Sequence, residues 1–443
     1  MAQSRTSSRR SILAGALLGV ATFAVYMAGS NRSFGYDAAA TFANFIATPS
    51  LLDAFAVRSV IPTIPVTQVA TNDHVLLSLL SHVIYSLTGS RSEVVYRLLP
   101  GLAAGGTVAL STAFLARRFG LLAGLCAGVF VATDPLFVDN SRDLRGYSLA
   151  ALSSVGGTLL LNGPRTRGRL TAYAVVMGLG IAAQLFAAVV LVCHVAWVVL
   201  ARRSEFRVLL PGWVAAGLIG GAANASIYYL ELTRHGLPPP LFNPTFPRDL
   251  VLFLVGAPVL LPVGLWLATA LLGVWVVRTR LWLWTTLGVV AAAVLVLWLA
   301  IQPAFLYPRF FIFLVPAIAY LMAAAVQRWW VLAPVVLIGA GAAAFGQSAD
   351  YLKDPLALPQ AAAAVERIHA SGGRACVIHS DEQVLAAYTT DFTVVTSADQ
   401  LAGCDAVVVV SWGVDLAVRD EAARQFPKLR TLDAYYPAVV LER

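Results

Sequence analysis

Charge is the scarcest property of this chain. Acidic and basic residues make up 12% of its 443 positions, about half of the quarter that a soluble domain carries, which excludes a chain that lives wholly in water. Lysine is almost absent, with only Lys353 and Lys428 among 31 basic residues. Together with abundant alanine, that reads as the bias of a GC-rich bacterial genome. Cysteine occurs four times, at Cys126, Cys193, Cys376 and Cys404. No CxxC spacing and no histidine at metal-ligand distance accompanies them, so a thiolate metal centre is excluded. Cys126 and Cys193 lie in apolar segments and read as small core residues. Cys376 and Cys404 fall together near the C-terminus and form a disulfide if that region is extracytoplasmic.

What is present is apolar length. Hydrophobic residues make up 59% of the chain and the mean hydropathy is +0.76, which together describe an integral membrane protein. The net charge of +8 favours anions, but its distribution says more than its sum. The start, MAQSRTSSRR, is basic and precedes SILAGALLGVATFAVYMAG. No small-residue cleavage site follows, so this reads as an uncleaved first helix with a cytoplasmic N-terminus. Arg117-Arg118, GPRTRGR at 163–169, ARRSEFR at 201–207, VVRTR at 276–280 and Gln327-Arg328 then mark cytoplasmic loops. Apolar stretches of about 17 to 25 residues join them, near 93–116, 120–137, 147–163, 169–184, 185–201, 208–228, 250–276, 281–301, 309–326 and 329–347. With the first helix that makes eleven expected spans, and every arginine cluster falls inside.

Residues 74–89, HVLLSLLSHVIYSLTG, are apolar enough to span. Counting them would move Arg117-Arg118 and all later clusters outside, so they are read as a helix lying in the outer interface or re-entering from it. His74 and His82, eight apart, fall on nearly one face. Beyond residue 347, QAAAAVERIHASGG and DLAVRDEAARQF read as helices, and RACVIH, FTVVTS and DAVVVVSW as short strands. The expected organisation is therefore a mainly α, polytopic helical bundle over 1–348 with a small extracytoplasmic α/β domain over 349–443.

With this orientation the outward loops collect the polar residues that topology does not explain. The first holds Asp37 in GYDAAATF, then Asp53, Arg58, VIPTIPV and Asn72-Asp73-His74. The second is VDNSRDLRGY, with Asp139, Arg142, Asp143, Arg145 and Tyr147. Later loops hold Glu231, Arg234, His235 and Asp249, and QPAFLYPRFF with Tyr307 and Arg309. Ionisable groups at membrane depth default to function when they face a protein cavity. Plainer readings stand beside that one. Arg58 and Arg97 can snorkel to headgroups, Asp134 before Pro135 reads as a helix-end residue, and His194 reads as a hydrogen-bonded core histidine. His369 and His379 belong to the C-terminal domain, and Trp329 and Trp330 are interface anchors. For Asp37 and the 139–145 cluster the plainer reading is a set of ion pairs closing the loops.

The order of these features resembles the GT-C membrane glycosyltransferases, in particular relatives of dolichyl-phosphate-mannose protein mannosyltransferase and of bacterial lipid A aminoarabinose transferase (family 39 and its bacterial kin). The shared elements are GYDAA after the first helix, NDHVLLSLLSH, TGSRSEVVYRLLPG, ARRFG, DPLFVDNSRDLRGYSL and YPRFFIFLVPA, over about residues 10–345. The resemblance implies transfer of a sugar from a polyprenyl-phosphate donor to a glycan, lipid or protein acceptor at the outer face of the membrane. It implies Asp37 as general base, with inversion, and Asp143 as the second-loop acid near the acceptor, a sugar hydroxyl or the base. Arg145 and Arg309 become lipid-phosphate contacts, supported by His74, Tyr147 and Tyr307. Ala38 and Val75 stand where the pattern has Glu and Pro. No cofactor is required; Asp37, Asp139 and Asp143 are the one set able to hold a divalent ion, and no nucleic-acid partner is expected. The competing readings are a lipid-linked sugar transporter, for which the self-similar halves are lacking, and a non-catalytic scaffold.

Overall fold

The computed structural model describes the whole chain except residues 1, 31, 56–73, 236–243, 298–306, 352–356, 379–384, 410–415, 427, 432–438 and 443. The helices are α1 (Ala2–Ala28), α2 (Tyr36–Thr41), α3 (Val75–Thr88), α4 (Glu93–Phe119), α5 (Leu121–Thr133), α6 (Pro135–Ser141), α7 (Tyr147–Leu161) and α8 (Arg167–Ala183). They continue as α9 (Ala188–Ala201), α10 (Phe206–His235), α11 (Phe246–Phe253), α12 (Leu260–Val277), α13 (Leu281–Val296), α14 (Val315–Arg328) and α15 (Leu332–Tyr351). Every segment expected to span contains a helix. Among the described residues five helices are long and apolar enough to cross a bilayer, and the pair α5–α6 makes a sixth if it counts as one span. The others fall short in length or hydropathy rather than in helicity. α3, with 14 residues, rises about 21 Å, less than the roughly 30 Å of a hydrocarbon core.

Two of the expected spans are broken, each for a local reason. Between α5 and α6 the axis bends by 57°, because Pro135 has no N–H to continue the ladder. Fully buried Asp134 caps the new helix by accepting a hydrogen bond from Phe137 N at 3.0 Å, so it is the helix-end residue its position suggested. Residues 250–276, expected as one span, divide into α11 and α12. Gly256 between them has φ +106°, and a Cβ there would lie 2.8 Å from Pro262 Cβ and 2.9 Å from the Trp266 ring; only glycine fits.

The chain forms two compact units. The first comprises Met1–Ala28, Asp73–Leu77 and Leu98–Gln347. Its helices pack α8 on α10, α12 on α14, α7 on α8 and α5 on α14. Small residues let backbones meet where lipid supplies no hydrophobic drive: a Cβ on Gly15 would reach Ala109 O at 2.5 Å, and one on Gly273 would reach Leu321 O at 2.0 Å. Phe130 sits edge-on to Trp266 at 4.8 Å. His194 is a core histidine, bonded to Tyr173 Oη and Thr158 Oγ1 at 3.0 Å each.

The second unit comprises Gly29–Asn72, Ser78–Arg97 and Ser348–Arg443. It therefore holds the first loop, most of α3, the start of α4 and the C-terminal region. There α16 (Ala357–Ala370), β1 (Ala375–Ile378), β2 (Thr393–Val395), β3 (Ala406–Val409), α17 (Leu416–Gln425), β4 (Lys428–Thr431) and β5 (Val439–Glu442) follow in order. The sheet order is β2-β1-β3-β5-β4. β1 pairs in parallel with β2 and β3, with Val377 opposite Val394 and Val408. β5 runs antiparallel to β3 and β4. The first three strands are those the sequence indicates. β4, reading KLRT, has no apolar run to announce it. Every residue of β1 and β3 is buried, as parallel central strands require.

Cys376 and Cys404 form a disulfide with Cα atoms 5.9 Å apart, closing a separation of 28 residues from β1 to a point two residues ahead of β3. Cross-linking a loop of that size is worth about 2–4 kcal/mol. The double variant Cys376→Ser/Cys404→Ser is expected to lose about that much stability in the C-terminal domain. Thermal unfolding of the variant, and of the wild type under reductant, measures it; equal midpoints would remove the bond's role.

Candidate functional site

The first unit gathers a cationic, ring-lined cluster. After α6 the chain turns through Arg142 to Gly146: Leu144 N donates to Asp143 Oδ1 at 2.9 Å and Arg145 N to Asp143 O at 2.8 Å. This local bonding competes with helix and stops α6. α7 then starts at buried Tyr147. Gly146 lies against the last residue of α8: a Cβ on it would stand 2.0 Å from Ala183 O and 3.1 Å from His74 Nδ1. The glycine in this turn is therefore a packing requirement that lets three elements converge.

His74 precedes α3 and is fully buried. Its Nδ1 lies 2.9 Å from Ala183 O. A carbonyl only accepts, so Nδ1 carries the proton and Nε2 presents its lone pair. The ring stands edge-on to Tyr147 at 4.8 Å. Burial above all, then the charge of Arg145, holds this imidazole well below the usual 6.5, with Arg309 adding to the effect and the Ala183 bond opposing it. His74 is therefore neutral, and two guanidinium charges act on it.

Arg309 comes from the 3-10 turn Pro308–Leu314 that leads into α14. Its guanidinium lies 4.6 Å from the centre of the Tyr307 ring and 6.0 Å from that of Tyr147, at cation–π range. Tyr307 is 42% exposed. Phe310 stacks on Phe186 at 4.8 Å and near Tyr147 at 6.4 Å, so the wall continues into α7 and the turn after α8. Two cations beside stacked rings and one neutral imidazole suit an anion attached to something apolar.

The structure thus brings together five of the residues singled out from sequence, His74, Arg145, Tyr147, Tyr307 and Arg309, with Asp143 in the same turn. Asp37 belongs to the second unit. It lies in the first turn of α2, half-buried, its carbonyl accepting from Thr41 Oγ1 at 2.8 Å. Asp139 is exposed, and Arg142 stacks on Tyr26 at 4.8 Å. Among the described residues no three His, Cys, Asp or Glu come together as metal ligands.

Arg97 corrects its snorkelling alternative. It is 6% exposed and donates to the carbonyls of Ser30, Arg32 and Ser33 at 2.6, 2.7 and 2.9 Å, holding the first loop instead of reaching lipid headgroups. Arg58, VIPTIPV and Asn72-Asp73 lie outside the described residues, as do the side chains of Glu231, Arg234 and His235. Arg248 pairs with Asp249 at 2.9 Å near the surface. Sequence reasoning missed Gly146, Ala183, Phe186 and Phe310. Gly146 was visible inside LRGY, whereas the others are small or aromatic residues in apolar runs and carried no signal.

No family model matches the sequence, and no curated protein matches it. The fold does match solved structures. Two crystal structures of ArnT from Cupriavidus metallidurans, one in the apo state and one bound to undecaprenyl phosphate, superpose with a TM-score of 0.61 each. In both cases 96% of this chain and 97% of the other are covered, at 14% sequence identity. The chain has an ArnT-like fold.

The neutral His74 gives a pH signature. With its folded value depressed, the unfolded chain takes up a proton near pH 6.5 and the folded one only lower. Stability is therefore present above about pH 6.5 and lost as pH falls below it. His74→Asn keeps a donor near the Nδ1 position but does not titrate. Melting of the purified protein between pH 7.5 and 5.5 is expected to fall less steeply in this variant; identical slopes would show that His74 does not contribute.

Proposed function

We propose that this protein is a glycosyltransferase of a bacterial inner membrane that takes a sugar from a polyprenyl-phosphate carrier. The observation that carries this reading is the joint one. The chain has the ArnT-like fold over 96% of its length, and the residues expected to hold a lipid phosphate, Arg145 and Arg309, both act on one buried imidazole. ArnT is a lipid A aminoarabinose transferase of the GT-C class, and one matched structure holds undecaprenyl phosphate. The same ligand chemistry, a phosphate on a polyprenyl chain, suits the cations and ring wall found here.

In this reading an acceptor hydroxyl oxygen attacks the anomeric carbon, the bond from that carbon to the phosphate oxygen breaks, and polyprenyl phosphate leaves. Asp37 takes the hydroxyl proton, and a single displacement inverts the anomeric centre. Arg145 and Arg309 hold the phosphate as charge develops on the leaving oxygen. His74, its Nδ1–H committed to Ala183, orders Tyr147 and the cations, while Tyr307 borders the lipid phosphate. Asp143 positions acceptor or sugar hydroxyls. The acceptor belongs to the glycan, lipid or protein class. In this reading the N-terminus is cytoplasmic, as the basic clusters favour, and with an odd number of spans the disulfide-bonded domain lies in the oxidising space outside.

Three outcomes follow for the purified enzyme with polyprenyl-phospho-sugars as donors. Asp37→Asn is expected to lower turnover by about 10²- to 10⁴-fold, the usual contribution of a general base, with donor KM little changed. Arg145→Gln and Arg309→Gln are each expected to raise donor KM by roughly tenfold or more, as loss of a charge-assisted contact does. Equal turnover by wild type and Asp37→Asn would remove the base assignment. For orientation, Arg117→Cys is expected to resist a membrane-impermeant maleimide applied outside cells; labelling there would invert the topology.

A further inference from the structure

The helix that carries Asp37 is held from both ends by the second unit. Phe34, 1% exposed, precedes it and Phe42, fully buried, follows it. The two rings stack at 5.4 Å, and both lie against Tyr96, at 6.4 and 4.9 Å. Phe42 also meets Tyr85 edge-on at 5.8 Å, and His82 Nδ1 donates to Ile46 O at 2.9 Å. Arg97 fixes the carbonyls of the preceding loop and lies 5.6 Å from the centre of the Phe34 ring. By contrast, Gly35 is not wedged: a Cβ on it would meet nothing within 4 Å. Phe34 and the loop before it are therefore one of the two anchors of α2.

One of the groups holding Phe34 comes from far along the chain. Phe34 N donates to Tyr388 Oη at 2.7 Å across 354 residues of sequence, and the two rings lie 5.9 Å apart. Tyr388 sits in the C-terminal region between β1 and β2, in a turn whose Ala387 carbonyl accepts from Arg91 Nη1 at 2.9 Å. Burial first, and then the charge of Glu93, pushes its phenol well above the usual 10.0. The hydroxyl thus stays protonated, with a lone pair for the Phe34 amide and a proton for Glu93. The core of the C-terminal domain is Cys376, Ile378, Val395, Leu401, Val407, Val418 and their neighbours, and Tyr388 is not among them.

We infer that Tyr388 is a positioning residue for the transfer reaction: the C-terminal domain uses its hydroxyl to clamp Phe34 and so fixes the helix that aims Asp37. This rests on the reading of Asp37 as the base. It assigns to the C-terminal domain a part in turnover.

The test is Tyr388→Phe in the full-length protein in lipid nanodiscs, beside wild type and Asp37→Asn. It removes one oxygen and keeps the ring. Amide exchange over residues 30–42 is expected to speed up by about tenfold, the size of one lost hydrogen bond. Turnover per folded molecule is expected to fall roughly tenfold with donor KM within about twofold, because misaiming a base acts on the chemical step. Unchanged exchange over 30–42 overturns the clamp whether or not any activity is found. Faster exchange with unchanged kcat per folded molecule, in an enzyme that Asp37→Asn inactivates, overturns the positioning role and leaves a structural contact. Wild type that transfers no sugar from any such donor overturns the function itself, and with it the catalytic half of the inference.

Discussion

A hydrocarbon core offers no partner to a charge or to a backbone amide, and the placement of arginine throughout this chain follows from that constraint. Where arginines mark orientation they are spent locally. Arg165 and Arg202 bond Glu205, and Arg169 donates to the carbonyls of Leu159 and Leu160 at 2.5 and 2.8 Å. Arg97 does the same for the loop after α1. Arg145 and Arg309 lie in the first unit, where both act on the buried His74 imidazole and Arg309 lies over the Tyr307 ring.

The same constraint shapes the backbone. Broken helices are tolerated where the freed groups find partners: Asp134 serves the α5–α6 bend, and Gly256 allows the turn between α11 and α12. Close approach of small residues replaces the hydrophobic drive that lipid removes, as at Gly15, Gly273 and Gly146. At Gly146 packing and chemistry coincide. The contact that brings α7 to the end of α8 also leaves Ala183 O where it fixes the tautomer of His74.

Helix positions were legible because apolar length and arginine clusters are physical requirements written directly into composition. The break within 250–276 was not, since hydropathy runs on through VLFLVGAPVLLPVGLW and outweighs its Gly and Pro. Arg145, Tyr147, Tyr307, Arg309 and His74 were singled out through the order of short motifs, and the fold brings them together in the first unit. Arg97 shows the limit: an arginine near a helix start looks the same in sequence whether it reaches headgroups or carbonyls. Tyr388 had no local signal at all. Its significance lies in a bond spanning 354 residues, which no periodicity or motif encodes.

The neutrality of His74 sharpens the proposed chemistry. A polyprenyl-phosphate sugar is a phosphodiester with one negative charge, and the carrier released after transfer is a monoester that carries up to two near neutral pH. Negative charge therefore grows on the leaving oxygen as the sugar departs. In the proposed reaction two guanidiniums meet that growing charge, and groups that interact more strongly with the transition state than with the bound donor are those that accelerate a reaction. A protonated His74 would add a third positive charge, strengthening the hold on the released monoester most of all and slowing its exit. Burial and the neighbouring arginines keep that charge off the ring while its Nδ1–H stays committed to Ala183. In that proposal the uncharged imidazole packs against Tyr147 and leaves the electrostatic work to side chains that cannot lose their protons.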